Sequence, residues 1–262
     1  MRFVTFAAGA LALMASMGMA HAKDWSTIKI GTEGAYPPFN SLTPSGEIVG
    51  FDVDIAKAVC EKLKAKCTVV AQDWDGIIPG LKAGKYDAIF ASMSITDERK
   101  KQVDFSRSYY QTPAVWVAPK DSKITSFDAD GLKSSIVGTQ SSTIHSNFLE
   151  GEIGPGGAQV KLYPAQDEAN ADLAAGRIDA VEADKSAMME WLKSDAGKCC
   201  EIKAEIDIKK YVKYFGLGVG AAVRKEDTDL RDAISKAIEE IHADGTYKKL
   251  NEKYFPFDLW VP

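Results

Sequence analysis

Two stretches of this chain match one another. Leu81 to Ser92 reads LKAGKYDAIFAS, and Leu173 to Asp184 reads LAAGRIDAVEAD. Each reads as a helix end, a turn at Ala-Gly and a short buried strand that stops on a polar residue. A solenoid needs three or more such units, because each must cover its neighbour. One repetition points instead to two similar lobes. Under this overlay Ser92 and Asp184 hold the same place, just past a strand.

The matched stretches belong to a wider alternation of strand, polar cluster and helix. A strand at Ile28–Thr32 leads to Glu33 and the turn residues Gly34 to Pro38. A helix follows over Asp52–Leu63, with Ile55, Val59 and Leu63 on one face. A strand at Asp87–Ala91 leads to Ser92, Ser94 and Thr96, then to a helix over Asp97–Val103. Ser135–Gly138 leads to Gln140, Ser141, Ser142 and Thr143, then to a helix through Phe148. Ile178–Val181 leads to Asp184 and a helix over Met188–Leu192. Strands alternating with helices predict parallel α/β sheets. In open sheets of that kind ligands bind beyond the carboxyl ends of the strands. All four polar clusters fall there.

The amino terminus has a separate purpose. Arg2 is followed by an apolar run from Phe3 to Met19 and by Ala20-His21-Ala22. A basic start, a short apolar core and an A-x-A end describe a secretory leader over residues 1–22, removed on export. Removing it leaves 240 of 262 residues and, with Arg2 gone, takes the net charge from −5 to about −6. Mild acidity argues against nucleic acid or an anionic membrane as partner. No later segment is apolar for long enough to span a bilayer.

Export also frames the four cysteines. Cys60 and Cys67 lie close together, and in an oxidising compartment a disulfide is the default reading. Cys199 and Cys200 are adjacent; a vicinal disulfide, pairing between chains and two thiols all stay open. No metal site is expected. Cys-x6-Cys is a poor zinc spacing, and His145 and His242 show no ligand spacing. No cofactor and no catalytic set is expected either. Gly216-x-Gly218-x-Gly220 lacks the rest of a dinucleotide loop and reads as a glycine-rich strand, and neither G-x-S-x-G nor a Walker sequence occurs.

Several residues in the clusters suit a zwitterion. Arg99 lies one turn into a helix, where a cation opposes the dipole. It either serves a carboxylate bidentately or is solvated among Asp97, Glu98, Lys100 and Lys101. Gln140, Ser142 and Thr143 offer donors at another helix start, or simply cap it. Asp184 could accept from an ammonium or cap the next helix. Tyr36 and Trp74 could wall a ligand or pack in a core. Carboxylate donors beside an ammonium acceptor suggest the main-chain end of an amino acid.

The segments GTEGAYPPF (31–39), GFDVD (50–54), WDGIIP (74–79) and DFS (104–106) resemble the polar amino-acid-binding proteins of bacterial ABC importers. The nearest group is that of lysine/arginine/ornithine and histidine binders. The resemblance runs from Ile28 to the DGTY (244–247) and KYF (253–255) ending. It implies a periplasmic, monomeric binding protein of type II α/β fold, with two lobes joined by two hinge strands. Residues 23–112 and 213–262 would form one lobe and 113–212 the other. It further implies that Arg99, Ser94 and the Thr143 backbone take an α-carboxylate. Asp184 and Ser92 would take the α-ammonium, Tyr36 and Trp74 would sandwich the side chain, and Glu33 would face its far end. Ala91, Gln140 and Ser142 complete that set, and Cys60–Cys67 matches the family disulfide. The implied partners are a basic amino acid and an inner-membrane permease.

The chain departs from these binders at Glu33, where they carry Asp, at Ala91, where they carry Ser, and at Gln140 and Ile144. Opine binders share part of the pattern, but carry Gly where this chain has Ser94, which favours a free α-amino group here. A dehydratase of the same fold would need Glu33 or Asp184 as general acid. A receptor's sensor module would need a further domain, and none is visible in the sequence.

Overall fold

The computed structural model describes residues 23–261, so the leader expected over residues 1–22 lies outside the described residues. The chain opens with β1 (Thr27–Thr32), then a small ribbon of β2 (Ala35–Tyr36), β3 (Asn40–Leu42) and β4 (Ile48–Val49). α1 (Phe51–Leu63) buries Phe51, Ile55 and Val59 on one face and ends at Lys64 in the left-handed region. Next come β5 (Lys66–Ala71), α2 (Ile77–Lys82), β6 (Ala88–Ile89), α3 (Asp97–Lys100) and β7 (Asp104–Tyr110).

The chain then crosses to a second sheet. It builds β8 (Ala114–Pro119), β9 (Ile136–Gln140), α4 (Ile144–Phe148), β10 (Gln159–Tyr163) and α5 (Gln166–Ala174). β11 (Ala180–Asp184), α6 (Lys185–Trp191) and β12 (Cys200–Ile206) follow. After α7 (Val212–Phe215) it returns to the first sheet with β13 (Val219–Val223), covered by α8 (Thr228–Ala243) and α9 (Thr246–Tyr254).

The two large sheets are built alike. Their orders are β5-β1-β6-β13-β7 and β10-β9-β11-β8-β12. In each, three strands run parallel, and the fourth, which enters after a crossing, pairs antiparallel on both sides. The matched stretches occupy equivalent places. β6 and β11 are both the third strand, and the turns before them hold Gly84 at φ +74° and Gly176 at φ +69°, which glycine adopts without strain. Asp87 accepts a hydrogen bond from the Lys29 N–H of β1 at 3.0 Å, and Asp179 accepts one from the Ile136 N–H of β9 at 2.7 Å.

Some elements end elsewhere than the pattern predicts. β6 stops at Ile89 because the chain turns out to reach Ser92, whose φ is +52°. α3 stops at Lys100; the N–H groups of Gln102 and Val103 both bond Arg99 O, and this tight turn delivers the buried Val103 to β7. β9 and β11 run further than expected, so Gln140 and Asp184 are the last residues of strands. The lobe boundary expected between 212 and 213 falls inside α7. Tyr211, Tyr214 and Phe215 pack edge-on or tilted against Phe148 in the second core, and the chain re-enters the first sheet beyond them, through Gly216–Gly218 to β13.

Both cysteine pairs are joined. Cys60 at the end of α1 is bonded to Cys67 in β5, and Cys199 to Cys200, the vicinal option. Cys60–Cys67 closes a short loop, so chain entropy assigns it roughly 2–3 kcal/mol. The double substitution Cys60→Ser, Cys67→Ser is expected to lower stability to urea by that amount. An unchanged unfolding midpoint would contradict it.

Candidate ligand-binding cleft

A cavity lies between the two sheets, at the carboxyl ends of their parallel strands. From the first sheet's loops come Glu33, Tyr36, Trp74, Ala91, Ser92 and Ser94, with Arg99 from α3. From the second come Gln140, Thr143 and Asp184. Of the expected residues Ser142 alone does not line it. The Ser142 carbonyl instead accepts from Trp74 Nε1 at 3.0 Å and from Arg99 Nη2 at 3.5 Å, tying the two lobes together.

Arg99 is turned inward rather than solvated. Its Nη1 donates to Ser94 O at 3.0 Å, and its guanidinium lies 5.3 Å from the centre of the Trp74 ring. Burial pulls its pKa down to about 10, with Asp184 opposing, so it is a cation at neutral pH. α3 spans Asp97–Lys100, barely one turn, so the dipole that this cation opposes is small. Thr143 takes the capping alternative. Its N–H donates to Ser146 Oγ at 3.0 Å and its Oγ1 accepts from Ser146 N, a reciprocal cap on α4. The backbone N–H that was expected to meet a carboxylate is already paired.

Asp184 opens α6 without capping it. Its Oδ2 accepts from Tyr36 OH at 2.9 Å, across the cleft, and lies 3.5 Å from His145 Nε2. Ser92 is held from behind: its N–H donates to Asp52 Oδ2 at 2.7 Å, and its Oγ accepts from Tyr110 OH at 2.7 Å. Asp52 is fully buried at the start of α1, where burial pushes its pKa up to about 7 against hydrogen bonds from Tyr109 and Ser92. The GFDVD segment therefore places an acid that orders the site without lining it.

Glu33 sits apart from this cluster. Its Oε1 accepts from Gln140 Nε2 at 2.5 Å, and the same nitrogen donates to Pro164 O at 3.1 Å. Burial pushes the Glu33 pKa up to about 7. The Gln140 hydrogen bond opposes that rise, while Asp167, Asp73 and Asp75 add to it. Acidic groups crowd this end of the cavity.

Two lining residues escaped the sequence reading, His145 and Gln166, and Ile144 entered it only as a departure from the binders. Gln166 opens α5 and accepts from Gln140 N at 3.2 Å; nothing local marks it. His145 follows the third polar cluster directly, and its partner Glu182 is an acid inside a fully buried strand. An acid in the middle of AVEAD was a legible signal, since such a group needs a partner.

The sequence profile of bacterial extracellular solute-binding proteins, family 3, matches residues 28–257. The chain is 44% identical over 253 residues to the L-arginine-binding protein of Pseudomonas aeruginosa, covering 96% of each. It is 42% identical over 234 residues to the histidine-binding periplasmic protein of Escherichia coli K12, covering 89% of each. Among solved structures, an ancestral arginine-binding protein bound to arginine superposes with a TM-score of 0.81 at 36% identity, covering 90% of this chain and 100% of that one. With nearly the whole of residues 23–261 matched, this chain belongs to the bacterial extracellular solute-binding proteins of family 3.

Proposed function

We propose that this protein works in the periplasm as the monomeric binding component of an ABC importer. It captures a basic amino acid between its lobes and delivers it to an inner-membrane permease. One observation carries this reading: one cavity is lined by Arg99, by Asp184, whose charge favours the Arg99 cation, and by a further carboxylate, Glu33, held by Gln140. Arg99 takes the α-carboxylate, Asp184 and Ser92 take the α-ammonium, and the side chain runs along Tyr36 and Trp74 to Glu33. Residues 23–112 and the chain beyond the Gly216–Gly218 crossing form the lobe that carries Glu33; the residues between form the lobe that carries Asp184. The relatives that match this chain are named for arginine and histidine.

Calorimetry on residues 23–262 tests the reading. Arginine, lysine, ornithine and histidine are offered beside glutamine, glutamate, octopine and nopaline. The basic amino acids are expected to bind best, arginine first, and glutamate not at all. A preference for glutamine, glutamate or an opine contradicts it.

Glu33 gives the binding a pH dependence. A cationic side chain favours the ionised form, so the bound protein holds Glu33 at a lower pKa than the free one. The extra affinity is therefore fully present above about pH 7, begins to fall below that value, and is lost as pH drops through the lower pKa of the bound state. Glu33→Gln is expected to remove this dependence and to weaken arginine by roughly 1.5–3 kcal/mol, more than about tenfold. Unchanged arginine affinity in Glu33→Gln would refute the role.

A further inference from the structure

His145 lines the cavity with no ligand contact assigned to it above. Its ring is buried, with Nδ1 2.8 Å from Glu182 Oε1 and Nε2 3.5 Å from Asp184 Oδ2. Ionised carboxylates only accept, while a neutral imidazole has one N–H and one lone pair. With both carboxylates ionised, only the doubly protonated ring meets both oxygens favourably, and that charged ring in turn opposes the burial that pushes the Glu182 pKa up. Burial pulls the ring towards neutrality, and Glu182 and Asp184 overcome it, pushing its pKa up to about 10. The other elements packed on α4 bring no competing charge to the ring. α7 contributes the ring of Phe215 at 5.9 Å, and Lys213 on that helix pairs with Glu152 instead. Arg99 and Tyr36 act on Asp184 from the first lobe.

Glu182 is an unfavourable residue for its position. It is fully buried in β11 between Val181 and Ala183, and its Oε2 has no hydrogen-bond partner among the described residues. An apolar side chain would fill the strand without that desolvation. What an apolar side chain cannot do is keep His145 charged.

We propose that Glu182 holds His145 as an imidazolium whose Nε2–H orients the Asp184 carboxylate, presetting the acceptor for a ligand's α-ammonium. His145 is thus a positioning residue that acts through Asp184, and the proposal rests on the functional reading above. Tyr36 reaches Asp184 from the opposite lobe, but His145 and Glu182 share the second lobe with it. The preset therefore survives opening of the cleft, and binding is spared the cost of ordering Asp184.

The test uses the small number of histidines. Residues 23–262 contain only His145 and His242, so ring-nitrogen NMR reads His145 directly with His242 as reference. In the wild type His145 is expected to stay doubly protonated between about pH 6 and about pH 9. Glu182→Gln keeps the shape and one acceptor but removes the charge, so His145 should now titrate within that range. On losing its proton the ring keeps Nδ1–H on the new amide oxygen and turns a lone pair towards Asp184, which is repelled. The ratio of variant to wild-type Kd for arginine should be near one at the acid end. It should rise about tenfold at the alkaline end, with the midpoint of the NMR titration. Taking the ratio at each pH cancels whatever Glu33 contributes to both proteins. A wild-type ring that loses its proton in this range, or a ratio that stays flat while the variant's ring titrates, overturns the proposal. A wild type that binds no basic amino acid contradicts the functional reading instead, and the ring signals then decide the imidazolium by themselves.

Discussion

Arg99→Ala is expected to lose nearly all affinity for a basic amino acid while the protein stays folded. The guanidinium bonds Ser94 O and packs over Trp74, and the Asp184 charge favours its ionised form. With Thr143 N–H committed to Ser146, no other donor to the ligand carboxylate is cationic among the lining residues except His145, which its two acids already hold. Removing one partner of an enclosed ion pair leaves the other charge uncompensated, at roughly 3–5 kcal/mol. That corresponds to a loss of about two to nearly four orders of magnitude in Kd. Calorimetry gives the affinity, and thermal unfolding of the free protein separates it from instability. Near-normal affinity in a folded Arg99→Ala protein would remove Arg99 from the site.

Asp184→Asn should be comparably severe, through the other end of the zwitterion. The change keeps the shape, and the amide oxygen can still accept from Tyr36 OH, so the contact across the cleft persists. What is lost is the negative charge that offsets an α-ammonium, again roughly 3–5 kcal/mol in an enclosed site. His145 would keep Glu182 but lose its second acid, so its ring pKa should fall as well. A ligand such as an amino-acid analogue lacking the α-amino group should not share the loss, since it never paired with Asp184. If the wild type and Asp184→Asn bind arginine alike, the ammonium is held elsewhere.

The two-lobed plan was legible because its cause is local and repeated. The Ala-Gly turn, the Asp that bonds the neighbouring strand and the apolar run recur at 83–91 and 175–183, and the folded strands β6 and β11 take equivalent places. Most of the residues lining the candidate cavity were named from the sequence for the same reason, since polar clusters past parallel strands sit where open α/β sheets bind ligands. What sequence could not show was which donors were already taken. Thr143 looked like an available backbone donor, yet the serine three residues on caps it. Residues acting from behind were also hidden. Asp52 orders Ser92 from a helix start 40 residues away, and Tyr36 reaches Asp184 across 148 residues. Such pairings depend on how lobes close, which no periodicity encodes.

A crystal structure of residues 23–262 with arginine tests the central claim most directly. The expected result is one arginine in the cavity of Glu33, Trp74, Arg99 and Asp184, with its α-carboxylate on Arg99. Its α-ammonium should lie on Asp184, and its guanidinium should run past Trp74 to Glu33. An arginine bound the other way round, with its guanidinium on Asp184, or bound outside this cavity, would contradict the account.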